Sequence, residues 1–214
     1  MAQAKKTIPA VSGDVAVTIQ PPKMVEFGVT LQGTSPLIMH AWSEKAKTMM
    51  RDKQQGKKAT KKEAKDPRVE WHGGRYIDAQ GRDCVSAIAI KSAIVDTASY
   101  IDGITKVLLR GSVIVLGDML PIEFEPDAES PDGKSPYMRE DMVRVGMGVA
   151  DIRYRPEYRE WSCKVRIRHM ANIISTQDVI TLLSTAGLVN GLGEMRPQKT
   201  GGSFGTFSVL TDSE

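Results

Sequence analysis

In the stretch KVRIRH, Lys164, Arg166 and Arg168 occupy every second position, with Val165, Ile167 and His169 between them. A strand turns successive side chains to opposite faces, so this alternation puts three cations on one face, spaced about 6–7 Å apart. The other three residues then face a core, which makes His169 a core histidine. Phosphates are what a row of cations at that spacing meets. The plainer explanation is a solvated strand face whose Lys and Arg guard against association. Three successive outward positions without an acid among them favour binding.

A second group of cations lies in YMREDMVRVGMGVADIRYRPEYREW, residues 137–161. Here Arg139, Arg144, Arg153, Arg155 and Arg159 interleave with Tyr137, Tyr154, Tyr158 and Trp161. Guanidinium and aromatic planes both stack on bases, and arginine also clamps phosphate with two donors. Five acids between residues 139 and 168 face eight Lys or Arg, so ion pairing within the protein accounts for some of these arginines. Of the five, Arg139, Arg144 and Arg153 are the candidate nucleic-acid contacts.

The third group is GLVNGLGEMRPQKTGGSFGTFSVL, residues 187–210, with six glycines and two basic side chains, Arg196 and Lys199. Free backbone N–H groups in a glycine-rich loop can cradle an anion, and close approach to a polynucleotide backbone is the expectation for Gly191, Gly193, Gly201 and Gly202. A helix ending at Gly187 with a hairpin-like return explains only two or three of the glycines. A nucleotide P-loop is excluded, because no GxxxxGK followed by Ser or Thr is present. A dinucleotide fingerprint is excluded too, because these glycines follow a helix and precede a strand.

Residues 41–66 carry nine Lys or Arg against four Asp or Glu, and apart from Met49 and Met50 no apolar stripe. The segment reads as a solvated helix or loop ended by Pro67, or as an arm whose Lys57, Lys58, Lys61 and Lys62 close over a bound strand. Catalytic signatures are missing: there is no nucleophile elbow, HExxH or paired-carboxylate pattern. The three histidines, His40, His72 and His169, stand apart from one another and from Cys84 and Cys163, so no metal site is expected. The chain is expected not to be an enzyme and to need no cofactor.

These residues need a scaffold. The 214 residues, 41% hydrophobic and 26% charged with a net charge of +3, describe one globular domain that leans basic. Two unspaced cysteines exclude a disulfide scaffold, and no spanning segment occurs, so a cytoplasmic protein without a membrane partner is expected. Strands are predicted at 24–33, 112–116, 120–125, 160–170 and 204–210, and a hairpin or irregular ribbon at 142–155. Helices are predicted at 86–101 with Ser86 as cap, and at 175–187 with Ser175 and Asp178 as a capping box. The order strand, helix, strand, strand, helix, strand is that of an α+β, ferredoxin-like core. Residues 1–23 form an N-terminal arm, insertions fall at about 41–84 and 126–158, and 211–214 are a tail.

GLGEMRPQKTGGSFG (191–205) resembles the glycine-rich loop of the RAMP superfamily, the repeat-associated RNA-binding proteins of CRISPR systems. CVSAIAIKSAIVDTA (84–98) is similar to that family's entry into its first helix, and LQGTSPLIMH (31–40) sits where such proteins leave their first strand. REDMVRVG (139–146) and GLGEMRP (191–197) also resemble a family of bacteriophage proteins. The resemblance implies a βαββαβ core with one open sheet face, and binding of single-stranded RNA or DNA by its backbone. It further implies a homo-oligomer or filament along the strand, in a bacterial host cytoplasm if phage-encoded. The stacking aromatics of related RNA-binding sheets are missing from KVRIRH, which favours backbone tracking over base reading. Two alternatives follow. One is a metal-independent endoribonuclease, because RAMP endoribonucleases place a general base near the position of His40. The other is a protein–protein assembly module without nucleic acid.

Overall fold

The computed structural model describes residues 21–42, 44–57, 64–145 and 148–211. The N-terminal arm up to residue 20, the tail from 212, and Lys58, Lys61 and Lys62 lie outside the described residues.

The fold is α+β with antiparallel sheets. Its central strands are β1 (Met24–Gly33) and β8 (Trp161–Met170), paired from Met24↔Met170 to Gln32↔Ser162. β9 (Phe207–Thr211) lies on the other side of β1. β4 (Val113–Val115) and β5 (Met119–Phe124) both pair with the far side of β8, and β3 (Cys84–Ser86) adds to β5. Along the sheet the order is β3-β5-β8-β1-β9, with β4 beside β8. Gly117, at φ 98°, makes the break between β4 and β5. Leu116 still donates its N–H to the Arg166 carbonyl across that break.

One face of this sheet is apolar because the sequence alternates: Val29, Leu31, Cys163, Val165 and Ile167 are all at most 2% exposed. Two helices cover it. α3 (Ala87–Asp96) contributes Ile90, Ala93 and Ile94, and Ser86 caps its first turn by accepting from the Ile88 N–H. α5 (Thr176–Val189) contributes Val179, Leu182, Leu183 and Ala186, and starts with the full Ser175–Asp178 capping box. Each of the buried Ile, Val and Leu side chains contributes on the order of 1.5–3 kcal/mol. His169 lies in this layer at 0% exposure, with Nδ1 bonded to the Ile174 carbonyl and Nε2 to the Thr176 hydroxyl. The cysteines belong to the same core. Burial pushes the Cys84 thiol to about 11 and the Cys163 thiol to about 12. Folded protein is therefore expected not to react with a disulfide reagent at pH 8, and both thiols to react once it is unfolded in denaturant. Rapid labelling of native protein would contradict this packing.

The inserted segments build a second sheet. β6 (Tyr137–Val145) and β7 (Val149–Tyr158) form a long hairpin, and β2 (Leu37–Ile38) pairs with the end of β7. The ribbon expected at 142–155 is thus regular and starts five residues earlier, at Tyr137. Three further short helices are present, the first of them settling the helix-or-loop alternative of the basic segment. α1 (Glu44–Gln54) lies in the basic segment, and α4 (Lys106–Ser112) is capped by the Thr105 hydroxyl. α6 (Pro197–Thr200) is one turn within the glycine-rich loop.

Pro67 corrects a boundary. It opens α2 (Pro67–Gly73) rather than ending a helix, since proline lacks the N–H that a first turn leaves unbonded anyway. Asp66 caps this helix, accepting from the Arg68 and Val69 N–H groups. Among the described residues no helix is long and apolar enough to cross a membrane.

Candidate nucleic-acid interface

Both α3 and α5 pack on the apolar face of the large sheet, which leaves the opposite face to the outward positions of its strands. On β8 these are Lys164, Arg166 and Arg168, with side chains 76, 72 and 43% exposed. Their register neighbours on β1 are Thr30, Gly28 and Glu26. Gly28 opposite Arg166 presents no side chain beside it.

The absence of acids along KVRIRH does not extend across the sheet. Glu26 takes Arg166 at 2.9 Å and Arg168 at 2.7 Å, and Glu123 on β5 takes Lys164 at 3.3 Å. The bond from Arg168 is the main cause that holds the Glu26 carboxyl below its usual range. Cross-strand partners cannot be read from one strand's alternation, because pairing decides who sits opposite. Exposed pairs of this kind are weak, about 0–1 kcal/mol, so a polyanion can compete for the cations. The outward positions of β1, β8 and β9 carry no aromatic ring, as KVRIRH alone suggested.

The arginine-rich segment resolves mainly into ion pairs. Arg139 donates to Asp141 at 2.8 Å and to Glu157 at 2.7 Å, and lies over the Phe204 ring at 4.8 Å. Arg155, 5% exposed, reaches Asp141 at 3.4 Å. Arg159 pairs with Asp127 at 2.9 Å and covers the Tyr137 ring at 4.2 Å. Arg153 points its Nη1 at His40 Nε2, 3.2 Å away, and reaches Asp151 only at 3.9 Å. Arg144 is exposed. Of the candidates in this segment, the structure ties Arg139 firmly into the protein and leaves Arg144 toward solvent.

The glycine-rich loop requires a correction. Its glycines do approach a backbone closely, but the backbone is the protein's own. A Cβ on Gly193 would lie 2.3 Å from the Ile38 carbonyl oxygen, on Gly202 2.0 Å from that of Met195, and on Gly205 1.9 Å from that of Leu192. Gly187, inside α5, would meet the Phe207 carbonyl oxygen at 2.1 Å. Gly191 and Gly201 have left-handed backbone, φ 65° and 66°. The amides are largely used as well: Leu192 N–H goes to Gly205 O, Glu194 N–H to Ile38 O, and Gly205 N–H to Pro36 O. The loop therefore clamps the chain between β1 and β2. Its cations are engaged too, Arg196 by the Gly193 carbonyl at 2.8 Å and Lys199 by Glu194 at 2.6 Å. Lys57 pairs with Asp52 at 2.8 Å, leaving that segment's other candidates outside the described residues.

His40 lies beside this clamp. Burial first, then the guanidiniums of Arg155 and Arg153, lower its pKa from the ordinary imidazole value. Nothing in the spacing pairs His40 with Arg153, since 113 residues separate them. Among the described residues no group of three or more His, Cys, Asp or Glu is placed to hold a metal ion.

No family model matches the chain, and no curated protein matches it in sequence. Among solved structures, Cmr6 from Pyrococcus furiosus is similar with a TM-score of 0.41 at 12% identity, over 88% of this chain and 99% of that one.

Proposed function

We propose that the open face of the large sheet binds the phosphate backbone of single-stranded RNA or DNA. The observation that carries this reading is the row Lys164, Arg166 and Arg168, three solvent-exposed cations on a sheet face away from both core helices. Binding of this kind is electrostatic, indifferent to base identity without stacking rings, and weakens steeply with salt. We read the core as ferredoxin-like and RAMP-like. The order β9, β1, β8, then β4 with β5, supports this, as fourth, first, third and second strands of a βαββαβ unit. On this reading the protein binds without performing chemistry and lines up in several copies along one strand.

Fluorescence anisotropy with labelled single-stranded oligonucleotides, over a salt series and followed by a denaturing gel, tests it. Arg166→Glu should weaken binding about tenfold or more and flatten the salt slope by about one unit. Glu26→Gln is more telling. It releases two arginines from their carboxylate, so it should tighten binding about threefold. If Glu26→Gln weakens binding as much as Arg166→Glu does, the pairs serve the sheet and not a ligand. No binding to either nucleic acid at the lowest salt sinks the reading.

A second reading, a protein–protein assembly module, has one observation in its favour. The solvent side of the hairpin exposes Met142 at 79% and Ile152 at 43%. They line a shallow hollow of about 550 Å³ with Ala150 and Tyr154. Failure of all oligonucleotide binding would make this face the one to pursue.

A further inference from the structure

The cluster around His40 is separate from the open sheet face and has its own chemistry. A guanidinium has only donors, so in the 3.2 Å contact with Arg153 Nη1 the His40 Nε2 must accept. The neutral imidazole then carries its proton on Nδ1. That Nδ1 is buried and has no hydrogen-bond partner. Arg155, with a side chain only 6% exposed, uses Nη1 on Asp141 at the long distance of 3.4 Å. Its Nε–H is likewise buried and without a partner. An orphaned buried donor costs about 1–3 kcal/mol, so two of them beside each other's charge call for an acceptor.

The charges around the imidazole tell which acceptor fits. Arg155 and Arg153 both disfavour its protonation, and Glu194 from the glycine-rich loop and Glu70 from α2 oppose them. Glu194 is held by Lys199 at 2.6 Å, and one Glu70 oxygen lies 3.6 Å from Lys65. The other Glu70 oxygen, Oε2, is buried without a partner, yet no protein acceptor bonds His40 Nδ1 or Arg155 Nε, and an anion able to take several N–H groups at once would serve both. The cluster is not sealed, because the Arg153 side chain is 30% exposed and that of Glu194 23%.

We infer that His40, Arg153 and Arg155 form a pocket for one phosphate-type oxyanion, taken by His40 Nδ1–H, Arg155 Nε–H and the remaining Arg153 donors. The inference does not depend on the open face binding a strand. Free phosphate and a phosphate of a nucleotide share this chemistry.

The test is NMR of the His40 imidazole nitrogens in the whole protein, titrated with inorganic phosphate against chloride at matched ionic strength. A saturable shift at Nδ1 and a raised His40 pKa are expected, since a bound anion favours the imidazolium. Arg155 is tied to Asp141, so its removal puts the fold at risk. Arg153→Gln is the variant of choice, and it should weaken phosphate binding about tenfold with thermal stability little changed. Dinucleotides with and without a terminal phosphate, added in turn, tell a chain end from an internal phosphodiester. An absent response to phosphate and to both dinucleotides, or the same response in Arg153→Gln, overturns the pocket and leaves water as the partner of these donors.

Discussion

Gly205→Ala is expected to destabilise the protein by about 3–5 kcal/mol, the range that a forced backbone clash reaches. Gly205 sits at φ 68°, where a side chain adds roughly 1–2 kcal/mol of strain. The larger part comes from the neighbour. The new methyl would lie 1.9 Å from the Leu192 carbonyl oxygen and 2.9 Å from its carbon, atoms of backbone that cannot rotate aside. Gly205 also receives the Leu192 N–H and donates to Pro36, so moving either segment breaks the clamp between the loop and the exit of β1. Gly201→Ala is the control. Its φ of 66° is nearly the same, yet a Cβ there meets nothing within 4 Å, so only the strain remains. Urea unfolding should show a large fall in midpoint for Gly205→Ala and a small one for Gly201→Ala, with unchanged slopes. Equal, small losses would mean that the loop's glycines are not needed for internal packing, and their role against a bound strand would return.

The loop shows why some of this molecule was legible in the sequence and some was not. Period-two and period-3.6 patterns report which face of an element is buried. β1, β8, α3 and α5 were therefore visible, down to the Ser86 and Ser175 caps and the buried His169. A glycine reports only that something lies close. Whether that neighbour is a ligand or the chain itself is a tertiary fact, and here Ile38, Met195 and Leu192 supply it. The same limit governs charge. Lys164, Arg166 and Arg168 were correctly placed on one outward face, but Glu26 lies 140 residues from Arg166 and reaches it only through strand pairing. α1 stays undecided between helix and loop, and α2 goes unread, for a different reason: short helices with few buried side chains have no long stripe to read. Of α2 only Trp71 is buried, and its start was written in Asp66-Pro67, a pair as easily read as a stop.

The second large effect is expected at Asp83, which fastens the inserted sheet to the core. Its carboxylate takes Arg75 Nε and Nη2 at 2.8 and 2.6 Å, and the Tyr158 hydroxyl at 2.6 Å. Arg75 follows α2 and also donates to Ser135 before β6, while Tyr158 ends β7. One buried carboxylate thus joins both insertions to the strand that enters β3. Asp83 is 4% exposed and the Arg75 side chain 11%, so Asp83→Ala leaves a guanidinium and a phenol without their partner and away from water. Breaking such a buried pair from one side costs about 3–5 kcal/mol. Asp83→Asn keeps an acceptor for Tyr158 but loses the paired charge and one acceptor for the Arg75 fork, so its loss should be smaller. The double variant Asp83→Ala with Arg75→Met removes both charges, and should recover part of the stability lost by Asp83→Ala alone. If the double variant is instead as unstable as the sum of the singles, the two groups act independently. The ion pair would then not be what holds the hairpin, and with it Arg153 and Arg155, in place beside His40.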